Sequence, residues 1–153
     1  DIFTTLASRA VAEKWLLFAH LGDLHYYDLG SDQHGITGGA TLDNYRRAYS
    51  DVLAQPNQHL LYRSTSWLYV WDDHDYGPND SDGTHPGKEA AAQAYRERVP
   101  HYPLADTGGI WQAVQIGRVL VVVSDTRYYR DPNDHPDDGT SARRRSTGCA
   151  VCS

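Results

Sequence analysis

The sequence predicts an α/β fold on three observations. Apolar runs of strand length recur at 15–19 ("WLLFA"), 67–71 ("WLYVW") and 119–123 ("VLVVV"). Stretches with helical spacing or strong helix formers lie between the first two and after the second, bounded by glycine- and proline-bearing turns. Each run also ends on a polar cluster: Gly22-Asp23, Asp72-Asp73-His74, and Ser124-Asp125-Thr126-Arg127. Alternating helices and central buried strands define a layered α/β domain, and ligands bind beyond the carboxyl ends of its strands.

Residues 2–13 are helix-compatible, and 15–19 read as a short buried strand leading into Gly22-Asp23. The glycine-rich, polar stretch 29–40 reads as a loop. Thr41 is placed as an N-cap, since its hydroxyl can accept from an orphan amide of the first turn. Leu42, Tyr45, Tyr49, Val52 and Leu53 then share one helical face, and Pro56 ends the run. A second short helix fits 57–63, and 67–71 is the next buried strand. Residues 88–99, "KEAAAQAYRERV", are helix formers stopped by Pro100. Residues 110–116 and 118–124 flank Gly117 as a hairpin, whose second arm is the most β-prone run of the chain.

At 153 residues the chain is one domain's worth. Its net charge of −6 argues against a nucleic-acid partner, which needs a basic face. No stretch approaches the ~20 apolar residues of a membrane helix. The opening at Asp1 and the lack of methionine read as a cut rather than a natural start, and no signal segment is seen. Cys149 and Cys152 form a single C-x-x-C, weak as a metal or redox motif without a second pair.

The acids cluster at 72–82 and 131–138. Carboxylates and a histidine at strand ends suit hard or borderline cations, and a cation would offset the repulsion among the acids. Two metals could activate a bridging water and clamp a phosphoryl group. His74 could protonate a leaving oxygen, and Arg127 could hold phosphate oxygens through its planar fork. Ordinary roles stand beside these: Asp72 and Asp73 as turn caps, Asp80 and Asp82 as solvated loop acids, Arg130 in a surface pair, and Tyr26, Tyr27, Tyr128 and Tyr129 as packing residues. Convergence of the strand ends favours the functional reading.

Four blocks in order, "HLGDLHYYD" (20–28), "YVWDDHDYGPNDSDG" (69–83), "AYRERVPHYPL" (94–104) and "VVVSDTRYYRDPND" (121–134), resemble the PhoD-type alkaline phosphatases, a branch of the calcineurin-like metallophosphoesterases. The resemblance implies a four-layer α/β/β/α sandwich, here partial and truncated at both ends. Residues 1–134 would form an incomplete domain core, and 135–153 an aberrant or disordered tail. It implies two metal ions, Fe3+ with Ca2+ (or Mn2+, Mg2+ or Zn2+), and hydrolysis of small or polymeric phosphate mono- and diesters by metal-bound hydroxide.

Residue by residue, Asp23 matches the metal-bridging aspartate and Tyr26 the iron-ligating tyrosine. Asp73 sits where the wider superfamily has the metal-binding asparagine of Gly-Asn-His, and His74 matches that motif's histidine near the leaving group. Asp72 is expected at the metal, and Arg127 at the phosphate. The family's first metal motif and its terminal Asp-x-His are not found, and "SARRRSTGCAVCS" does not continue the pattern. The resemblance also implies an extracytoplasmic protein, periplasmic or secreted. The alternatives are a calcium-stabilised binding module without catalysis, and a non-functional gene fragment.

Overall fold

Helix α1 (Ile2–Ala12) begins at Asp1, whose carboxylate accepts from the Phe3 amide at 2.8 Å and caps the first turn. It buries Ala7 and Ala10 against α3 (Pro56–Ser64). The computed structural model describes residues 1–31, 38–104 and 108–133. The expected tail, with Cys149 and Cys152, lies outside the described residues.

Strand β1 (Phe18–Leu21) pairs in parallel with β2 (Trp67–Val70), with Phe18 opposite Trp67 and Leu21 opposite Val70. The crossover runs through α2 (Leu42–Leu53) and α3. Thr41 caps α2 as expected, accepting from the Asn44 amide at 3.3 Å. Tyr45, Ala48 and Tyr49 are its buried residues, and the helix packs on α5 (Lys88–Arg98). Pro56 does not merely end α2: it opens α3 from the first helical turn, where its missing N–H costs nothing.

The core is aromatic. Tyr45, Tyr49, Tyr69, Trp71, Tyr76 and Tyr95 are all fully buried, and the Ala91, Ala92 and Ala94 face of α5 lets that helix close over them. After β2 the chain makes a single turn, α4 (Asp73–Tyr76). Beyond α5 comes an antiparallel hairpin of β3 (Gln112–Ile116) and β4 (Val119–Val123), turning through Gly117 at φ +60°.

Two expectations about the strands are corrected. The first strand is Phe18–Leu21, not 15–19, and Leu16 and Leu21 are exposed. The valine-rich β4 is not a buried central strand either, since Val119, Leu120 and Val122 are exposed. The described residues form two separate two-stranded sheets, so each strand keeps one unpaired edge and apolar side chains there lack a covering layer. The buried strand positions are Leu68 and Tyr69 of β2 and Gln112 and Val114 of β3.

Candidate metal centre

Because β1 and β2 run parallel in register, the loops leaving them emerge side by side. Gly22 (φ +91°) and Asp23 (φ +54°) turn the first loop sharply at the strand end. Glycine is required at 22 twice over: L-residues rarely adopt this conformation, and a Cβ would lie 2.5 Å from the Cβ of Asp72. The two loops therefore touch, and their acids meet.

One carboxylate oxygen each from Asp23, Asp72 and Asp73 lies within 4.8 Å of the others. Oδ2 of Asp23 accepts from the Tyr26 phenol at 2.8 Å, while its Oδ1 is buried and has no hydrogen-bond partner. An unpaired buried carboxylate oxygen beside two more acids is unfavourable unless positive charge comes to it. Arg127 supplies part of that charge. Its Nε donates to Asp72 Oδ1 at 2.7 Å, Nη2 reaches the same oxygen and lies 3.6 Å from Asp73 Oδ1, and Nη1 donates to the Ser81 carbonyl at 3.3 Å. Burial works against ionising Asp73. The Asp80 amide, donating to Oδ2 at 2.7 Å, and the nearby guanidinium outweigh it and hold the carboxyl below its usual range.

His74 lies on the same patch, its ring 4.4 Å from that of Tyr26. Its Nδ1 sits 2.5 Å from Asp28 Oδ1. Burial pulls its pKa down, but the bond to Asp28 and the charges of Asp28, Asp73 and Asp23 raise it overall. All six residues singled out in the sequence thus fall into one contiguous group: Asp23, Tyr26, Asp72, Asp73, His74 and Arg127.

Three further acids, to which the sequence assigns no role, support the group, and a buried histidine lies beside them. Asp28 holds His74. Asp75, fully buried, accepts from the amides of His25 and Asp72 at 3.0 Å each. Its burial pushes its pKa up to about 6 against those two bonds. Asp125 gathers the Trp71 indole and the Arg127 amide at 2.9 Å on Oδ1, and the Ile110 amide at 2.9 Å on Oδ2, so it sets the loop that presents Arg127. His25 is buried with neither ring nitrogen hydrogen-bonded, and burial above all pushes its pKa down to about 4. Asp28, Asp75 and Asp125 each sit inside one of the quoted acidic blocks, which was the available signal.

Two loop residues complete the surroundings of the site. Among the described residues Arg130 donates to Asn133 Oδ1, at 2.7 Å. Asp80 is an exposed loop acid as expected, and its backbone, at φ +61°, also turns its amide onto Asp73.

The fold and site therefore define an α/β protein with an oxygen-rich acidic centre at adjacent strand tips. The chain belongs to the PhoD-like phosphatase family, whose model matches residues 2–150, beyond Asp134 where the sequence resemblance ends. A solved structure titled "Structure of PhoD" is similar with a TM-score of 0.63 and 25% identity. The match covers 87% of this chain and 30% of that one, so this chain spans less than a third of that relative. No match was found among curated proteins.

Proposed function

We propose that the centre binds two hard cations and serves the hydrolysis of phosphate mono- or diesters. The carrying observation is the buried, unpaired Asp23 Oδ1 within a three-carboxylate cluster whose acids Asp72 and Asp73 share the one Arg127 guanidinium. Donor chemistry fits oxygen-loving metals such as Fe3+ and Ca2+, with Mn2+ a usable substitute. Asp23, Tyr26, Asp72 and Asp73 would hold them. When bound, such ions lower the pKa of water and neutralise phosphoryl charge.

The chain's own residues supply the remainder. His74, held at Nδ1 by Asp28, keeps Nε2 as the ring atom that can pass a proton to a departing alkoxide. Arg127 is the cation for non-bridging phosphate oxygens, already steered by Asp72 and the Asp125 loop.

Two variants test this. Asp23→Ala should abolish Mn2+ binding and any turnover of an aryl phosphate together. His74→Ala should keep Mn2+ binding but lower turnover by about 10²–10⁴-fold. Unchanged turnover in His74→Ala sinks the catalytic assignment. Metal binding with no turnover in the unsubstituted chain would instead favour a cation-stabilised binding module.

A further inference from the structure

We infer that Asp75 is a positioning residue that sets the spacing between the two ligand-bearing loops; its consequence for metal affinity rests on the proposed cation centre. The loop after β1 carries Asp23 and Tyr26, and the loop after β2 carries Asp72 and Asp73. Each loop is anchored to its own strand, and β1 and β2 end at Leu21 and Val70. Beyond those residues the strand ladder no longer holds the loops together. Asp75 takes over there. Its Oδ1 accepts from the amide of His25 in the first loop, and its Oδ2 from the amide of Asp72 in the second, at 3.0 Å each.

The carboxylate is fully buried. Water therefore cannot substitute for either bond, and each amide would be left unpaired without it. The two bonded residues lie next to ligands: His25 is two residues from Asp23, and Asp72 is itself in the cluster. A shift of either loop changes the separations among Asp23, Asp72 and Asp73, on which chelation of one ion depends. Outer groups that orient ligands in this way typically matter about 10–100-fold to metal affinity.

Amide hydrogen exchange on the metal-free chain reads the clamp directly. In Asp75→Ala the amides of His25 and Asp72 should exchange about tenfold faster or more, while strand amides such as Leu68 keep their protection. Should Asp75→Ala not fold, Asp75→Asn decides. Its side chain has one acceptor oxygen, so at least one of the two amides should lose protection. A Mn2+ titration followed by electron paramagnetic resonance should show about tenfold weaker binding in Asp75→Asn. Unchanged exchange at both amides, or unchanged Mn2+ affinity in Asp75→Asn, overturns the inference. An unsubstituted chain that binds no Mn2+, with exchange behaving as described, sinks the metal reading and leaves the clamp standing.

Discussion

Gly22 is where the backbone rule and the chemistry coincide. The residue must be left-handed for the chain to turn off β1, and it must lack a Cβ for Asp72 to approach. Gly22→Ala should cost at least about 1–2 kcal/mol from the backbone alone, measured as a lower urea midpoint. Displacement of Asp72 should weaken Mn2+ binding as well. A variant with wild-type stability and affinity would show that the loops can separate without consequence. Individual residues were unequally legible in the sequence. Asp23, Asp73 and His74 stood out because packing alone seldom places a polar cluster straight after an apolar run. Asp28 and Asp75 did not, and Asp125, though part of the cluster ending the third run, carried no role, since an aspartate that binds metal and one that grips amides look alike until the fold presents its N–H groups.

Among the elements, helices were easier to read than strands. Thr41, Pro56 and the alanine face of α5 each carry a local cause of helix start or burial, so their elements fall within a residue or two of expectation. Strand propensity, by contrast, reports the pleat and says nothing of what covers it. That is why β4 forms yet stays exposed. The difference is measurable. Leu61 of α3 is fully buried, and Leu61→Ala should cost about 2–5 kcal/mol. Leu120 of β4 is 58% exposed, and Leu120→Lys should change unfolding free energy by no more than about 0.5 kcal/mol. A large loss from Leu120→Lys in chemical denaturation would mean that β4 is covered in solution.

Taken whole, the molecule has a tightly packed helical and aromatic side and an open sheet side. A groove of about 500 Å3 lies between the β1–β2 pair and β4, lined among others by His20, Tyr69, Trp71, Val121 and Arg127. Open edges beside apolar surface favour association between chains. Cohesion of the packed side depends on His85, which joins several segments at once. Its Nε2 lies 3.0 Å from the Tyr45 hydroxyl of α2, and its ring packs on Tyr76 of α4. A Cβ at Gly30, Gly77 or Gly87 would come within 3.0 Å of that ring. Burial lowers the His85 pKa from 6.5 by more than Asp82 raises it. A base with a depressed folded-state pKa binds fewer protons folded than unfolded. Its stabilising share is therefore complete above pH 6.5 and is lost as the pH falls below that value. His20, half-buried beside Tyr62, acts with the same sign. His85→Gln cannot take up the proton, so urea unfolding at about pH 7.5 and about pH 5.5 should show a smaller loss of stability than in the unsubstituted chain. Equal losses in the two proteins would mean that His85 titrates alike in both states and that the acid sensitivity of the fold lies elsewhere.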